Sequence, residues 1–183
     1  HMRTGRLSLP LGLFTRDVPG LAGAADFYGI NYYGSYRVRF DPATPLLGRW
    51  VNASGATEGV SQWGEVDPDG LRWGLLRVAA LGRPVYVTEN GLRDPSDERR
   101  RPYLVRHLAA VREAIAAGAD VRGYFHWTLV DNYEWAEGWR APFGLIAVNP
   151  ATQERRPRPS FDLYGGIARA NGLMGEIVEG YRS

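Results

Sequence analysis

A chain of 183 residues that is 44% hydrophobic and 23% charged has enough apolar material for one folded domain, so disorder is not its expected state. Its 22 basic residues stand against 20 acidic ones, and a formal charge of +2 gives no footing to a nucleic-acid partner. All the basic residues are arginine and cysteine is absent, which removes Schiff-base lysines, disulfides, thiolate metal sites and cysteine nucleophiles at once. Without an apolar run near the ~18 residues of a membrane span, the expectation is a cytoplasmic protein that does not engage a membrane.

In chain order, His1-Met2 reads as a tag remnant, and residues 1–20, punctuated by Pro10 and Pro19, read as an irregular leader ahead of a single unit over 21–183. Ala25 to Tyr33 is a short aromatic-rich run that predicts a strand buried on both faces. Residues 34–70 hold no long period and predict an elaborated loop with room for short strands. Leu71, Leu75 and Val78 then recur at helical spacing, with start signals at Asp67-Pro68-Asp69 and a stop at Gly82.

Val85-Tyr86-Val87-Thr88 has the β-branched and aromatic make-up of a second strand, ending at Glu89-Asn90-Gly91. A second helix follows, with Leu104, Leu108, Val111 and Ile115 expected on its inner face and Pro102 in its first turn. Arg99-Arg100-Arg101 reads as a solvated entrance to that helix. Val121 to Val130 predicts a third strand, Phe143 to Val148 with Asn149-Pro150 a small hairpin, and Ser160 the cap of a last helix ending near Asn171-Gly172. Strand, helix and strand at this spacing make a βαβ unit, hence an α/β fold with parallel strands.

Glu89 is the sharpest chemical feature, because the C-terminal ends of parallel strands form the catalytic face of α/β barrels. An exposed Glu opening an Asn-Gly hairpin turn is the plainer alternative. Leu92 to Pro95 does not resume an alternating strand, however, and a helix follows. At the end of the third strand, Trp127 to Trp139 crowds three indoles, a phenol and three carboxylates into one stretch. Aromatic faces suit the C–H face of a sugar ring, and carboxylates accept hydrogen bonds from its hydroxyls. His126 neighbours Trp127 on a strand and so points to the opposite face, as a packing residue. His107 has no partner in view.

Tyr86-Val87-Thr88-Glu89-Asn90-Gly91 resembles the nucleophile motif of family 1 glycoside hydrolases. Trp127 to Gly138 with Phe143-Gly144-Leu145 is similar to that family's eighth-strand motif, and Asp26 to Tyr33 to its sixth strand, so the resemblance spans roughly residues 21–170. It implies a (β/α)8 TIM barrel, of which this chain would be the C-terminal partial barrel, strands six to eight with their crossover helices. It implies hydrolysis of β-glucosides and related β-glycosides with retention of configuration. Glu89 would be the nucleophile and Tyr33 would donate a hydrogen bond to it. Asn31, Trp127, Glu134, Trp135 and Phe143 would bind the sugar: Trp127 as stacking floor, Glu134 on the hydroxyls at positions 4 and 6, Trp135 on position 3, Phe143 closing the pocket. Because 6-phosphate-taking members lack a carboxylate at the place of Glu134, an unphosphorylated sugar is implied. No metal or other cofactor is needed, since two carboxylates and water suffice.

The family's acid/base glutamate lies in an Asn-Glu-Pro motif, which occurs nowhere in this sequence, and a barrel of this type takes at least about 200 residues. The expected partners are therefore a β-glycoside substrate and either an N-terminal barrel portion that supplies the missing strands or further copies of this chain. A partial barrel that self-associates without chemistry, or a sugar-binding piece without turnover, are the alternatives.

Overall fold

A computed structural model describes residues 4–8, 14–51, 62–173, 175 and 180–181; the expected tag remnant His1-Met2 lies outside these. Among the described residues no helix is long and apolar enough to cross a membrane.

The organising element is a three-stranded parallel sheet in the order β3 (Tyr28–Asn31), β6 (Val85–Asn90), β7 (Val121–His126). Helices α1 (Pro68–Ala79) and α2 (Arg100–Ala116) are the crossovers between these strands, and α3 (Pro159–Ala170) packs against α2. The predicted βαβ arrangement is thus present, extended by one strand. Val85 and Val87 of β6 meet Leu71 and Leu75 of α1 and Val111 and Ala114 of α2, all buried, while Leu104, Val105 and Ile167 join α2 to α3. Each fully buried aliphatic side chain here contributes about 1.5–3 kcal/mol.

Among the described residues, nothing covers the opposite face of the sheet. Phe27 is 52% and Phe125 57% exposed, and the Phe27 ring meets Tyr86 edge-on at 5.1 Å. The first predicted strand is therefore buried on the helix side only. Ile30 packs into the core, whereas Gly29 and Asn31 lie exposed on the other face beside the Thr88 side chain.

Among the described residues, four short strands lie outside this sheet in the first half of the chain and two near its end. Residues 6 to 17, expected to be irregular, contain an antiparallel ribbon of β1 (Arg6–Ser8) and β2 (Thr15–Asp17). The anticipated short strands of the 34–70 segment are β4 (Arg37–Phe40) and β5 (Gly48–Val51), and the predicted hairpin is β8 (Ile146–Val148) with β9 (Arg155–Pro157).

Further expectations are corrected at the element ends. The third strand stops at His126 rather than Val130, because the chain then pairs with the 143–146 segment: Leu145 N–H donates to Thr128 O at 2.9 Å and Asp131 N–H to Ile146 O at 2.9 Å. On α2, Ile115 is 48% exposed and Ala114 takes the buried position, following the 3.6-residue period from Leu104 through Val111. Ser160 does not cap α3. Arg158 is the residue before it and Pro159 opens the helix, while Ser160 N–H and Oγ–H both donate to Asp97, at 2.8 and 2.6 Å. Asn171 closes the helix in the left-handed conformation, φ 47°.

The arginine run is also not uniformly solvated. Arg100 is fully buried: its guanidinium pairs with Asp97 and donates to the carbonyls of Asp94 at 2.6 Å and Pro142 at 3.0 Å. The Asp94 carboxylate accepts the backbone N–H groups of Arg99 and Arg100, at 2.8 and 3.0 Å, capping α2 from outside its own first residue. One buried cation so joins the loop after β6, the start of α2 and the loop before β8. Removing one partner of a buried pair strands the other charge. Arg100→Ala is expected to cost about 3–5 kcal/mol, whereas Arg99→Ala, at an exposed side chain, should stay within about 0.5 kcal/mol. The urea midpoints of the two variants, measured side by side, check the contrast.

Candidate active site

The site lies where the three parallel strands end. Glu89 and Asn90 are the last two residues of β6, Tyr33 follows the end of β3, and Trp127 follows the end of β7. Asn31 pairs in register with Glu89 across the ladder, and Tyr32 N–H donates to Glu89 O at 2.8 Å, so the two strand ends are locked together by backbone bonds.

Within this frame Tyr33 Oη donates to Glu89 Oε2 at 2.6 Å. Burial first, and the Glu89 carboxylate next, push the Tyr33 phenol well above its ordinary pKa of 10, so it remains a donor throughout the neutral range. Asn31 Oδ1 accepts from Thr88 Oγ1 at 2.6 Å, which fixes the Asn31 amide on the open face beside Glu89.

The aromatic stretch after β7 supplies the other side. Trp127 Nε1–H points to Glu134 Oε2 at 3.4 Å, bringing together an indole and a carboxylate seven residues apart. The backbone doubles back at Glu134, whose N–H donates to Gly138 O at 2.8 Å, and a short 3-10 turn over Trp135–Glu137 follows. Trp135 is 84% exposed with φ 41°, its indole standing out from the surface. Phe143 is the residue expected to close the pocket. It is 1% exposed and packed edge-on between the rings of Tyr33 at 5.9 Å and Trp63 at 5.2 Å, where it backs Tyr33 from the protein interior.

The close fit of the strand ends explains Gly91. A Cβ there would overlap the carbonyl oxygen of Trp127, whose own N–H donates to Asn90 O at 3.0 Å. Asp131, also in the acidic stretch, holds loops together instead of facing the site. It takes two bonds from the Arg158 guanidinium, at 2.8 and 3.1 Å, and one from Gly144 N–H at 2.8 Å. That leaves Glu134 and Glu137 as the carboxylates of this stretch available to a ligand.

Several residues escaped the sequence reading. Asn90 is fully buried and hydrogen-bonded to Tyr32 O, Tyr103 Oη and Tyr124 Oη. Tyr103 and His107 lie four residues apart on α2, stacked at 3.8 Å, and their spacing on the face shared with Leu104 and Val111 was the available signal. Burial lowers the His107 pKa to about 4, so the ring is neutral at pH 7, with Nδ1 2.8 Å from Tyr103 O. His126 is likewise lowered to about 4, by burial and then by Arg100, and its Nε2 lies 3.4 Å from Phe143 O, in keeping with a packing residue.

A phenol-bound carboxylate at the carboxyl end of a central parallel strand, flanked by an indole–carboxylate pair from the next strand, defines a site at the carboxyl edge of a parallel α/β sheet. Residues 6–173 match the model of glycosyl hydrolase family 1, and the chain belongs to that family. The beta-galactosidase of Pyrococcus woesei is 37% identical over 180 residues, an alignment that takes in 89% of this chain and 35% of that protein. Among solved structures, the beta-glycosidase of Pyrococcus horikoshii superposes with a TM-score of 0.83 at 38% identity, covering 98% of this chain and 42% of that one. The beta-glucosidase of Thermotoga maritima in complex with glucoimidazole gives 0.70 at 34% identity, covering 81% and 35%. The chain thus spans little more than a third of the length of these relatives, and its described strands form an open sheet of the fold they share.

Proposed function

We propose that this chain carries the nucleophile side of a retaining β-glycoside hydrolase, as strands six to eight of a (β/α)8 barrel. The observation that carries the reading is the 2.6 Å bond from Tyr33 to Glu89 at the strand ends, beside Trp127 and Glu134. In this reading Glu89 attacks the anomeric carbon, the bond to the leaving oxygen breaks as that oxygen takes a proton, and water then releases the sugar from the glycosyl-enzyme ester. Tyr33 holds the carboxylate in place for attack through its hydrogen bond. Asn31 and Trp127 line the sugar site, Glu134 accepts from the hydroxyls at positions 4 and 6, and Trp135 swings its exposed indole N–H to position 3.

Retaining hydrolysis also needs a second carboxyl group about 5 Å from the nucleophile, across the scissile bond. Asp131 is held by Arg158, Glu134 is committed to the sugar, and Glu137 lies with them on the segment after β7, beside the strand of Glu89 rather than across the scissile bond. The proton donor therefore comes from the rest of the barrel, on sequence outside these 183 residues. The two free sheet edges, at β3 and β7, and the exposed Phe27 and Phe125 are where that portion docks, or where copies of this chain associate in its absence.

The substrate is an unphosphorylated β-glucoside or related β-glycoside. The names of the relatives, β-galactosidase, β-glycosidase and β-glucosidase, support that class. A completed barrel is expected to cleave an aryl β-glucoside in preference to its 6-phosphate, because the Glu134 carboxylate would repel a phosphate at hydrogen-bonding distance. Comparing kcat/KM for the two substrates tests the assignment, and a preference for the phosphorylated sugar overturns it.

A further inference from the structure

The groups behind Glu89 form a chain of hydrogen bonds whose direction is dictated at one end. The carbonyl of Tyr33 can only accept, so the Tyr103 hydroxyl, 3.1 Å away, donates to it. That hydroxyl has a single proton and therefore accepts from its other neighbour, the Asn90 amide nitrogen at 2.8 Å. The second N–H of the same amide goes to Tyr32 O at 2.6 Å, which turns Asn90 Oδ1 toward Tyr124 Oη, also at 2.6 Å, where the phenol must donate. No link can be reversed without placing two acceptors face to face in a buried site. Asn90 is fully buried and Tyr103 only 2% exposed, so water does not substitute for a missing partner.

The two ends of this chain are the backbones of the reacting pair. Asn90 directly follows Glu89, and Tyr33 carries the phenol that binds the Glu89 carboxylate at 2.6 Å. One hydroxyl, on a helix rather than on either strand, thus ties the two together from behind, in addition to the strand-to-strand bonds of Tyr32 with Glu89 and Asn90. The Tyr103 ring is itself held by the stacked, neutral His107. We propose that Tyr103 is a positioning residue for the Glu89–Tyr33 pair, acting through Asn90 and the Tyr33 carbonyl, with Tyr124 fixing the sense of the Asn90 amide. The proposal rests on the reading of Glu89 and Tyr33 as that pair.

Its test needs no turnover. The chain, in whatever assembly it forms, is labelled with 13C at the tyrosine ζ carbon, and the Tyr33 resonance is identified by its loss in Tyr33→Phe. In the wild type this resonance is expected to stay protonated at pH values where an ordinary tyrosine, pKa about 10, has ionised. Tyr103→Phe keeps the ring and its stacking but removes the hydroxyl. The Tyr33 midpoint should then fall by about one unit or more toward the ordinary value as its phenol leaves Glu89. A folded Tyr103→Phe chain in which Tyr33 titrates as in the wild type overturns the proposal and reduces Tyr103 to a stabilising residue. If that variant does not fold, Tyr124→Phe decides: it leaves the buried Asn90 Oδ1 without its donor and so loosens the amide that Tyr103 holds, and the Tyr33 midpoint should fall by a smaller amount, while no change overturns the proposal. A wild-type Tyr33 that titrates normally strikes the reading of the pair itself, a result distinguishable from either variant outcome.

Discussion

Glu89→Gln in a completed barrel is expected to lower kcat on an aryl β-glucoside by at least about 10^4-fold, with KM changed far less. The substitution keeps the size of the side chain and leaves an oxygen for Tyr33 Oη, 2.6 Å away in the wild type, so the site remains assembled. What is lost is the nucleophilic carboxylate, and with it the covalent intermediate that divides one difficult displacement into two easier ones. Uniform binding energy, supplied by Trp127 and Glu134, is untouched, which is why the loss should appear in kcat. A variant retaining a tenth of wild-type kcat, with the fold intact, would assign the nucleophile to another residue.

The chain alone, by contrast, is expected to show no β-glycosidase activity and to run as a dimer or larger species. The chemical half follows from the missing proton donor: Glu137 and Glu134 both lie on the segment after β7, the strand next to the nucleophile's own, rather than across the pocket. The structural half follows from the open sheet. Among the described residues its outer strands β3 and β7 each pair with β6 alone, and the face opposite the helices exposes Phe27 and Phe125. Adding a protein that supplies the remaining strands should convert the mixture to a defined complex with activity. Size-exclusion chromatography with an aryl β-glucoside assay on each fraction checks both halves. A monomeric, active peak from this chain by itself would refute them together.

The parts of this site that were legible in the sequence are those carried by local pattern. Glu89 is marked by the apolar run of β6 and the break after it, whereas Tyr33 was reached only through the resemblance of its segment to the family's sixth strand; a 2.6 Å bond joins them. The helices were legible because Leu71, Leu75, Leu104 and Val111 repeat at the helical period and are all buried. Arg100 shows the limit. Three successive arginines are alike as letters, and only the approach of Asp97 and the carbonyls of Asp94 and Pro142, the last from 42 residues away, makes the middle one buried. Phe143 and Trp63 meet across 80 positions for the same reason, through loops with no period to read. The exposure of the sheet's inner face was equally hidden. The aromatic residues of β3 read as a strand buried on both sides, and whether the second side is covered depends on strands that these residues do not include.

The most direct test of the central claim is to locate the covalent intermediate. A completed barrel treated with a 2-deoxy-2-fluoro β-glucoside bearing a good leaving group, then digested and analysed by mass spectrometry, should carry one sugar on the peptide Tyr86-Val87-Thr88-Glu89-Asn90-Gly91, at Glu89. A label on Glu134 or Glu137, or on a carboxylate outside this chain, would contradict the account.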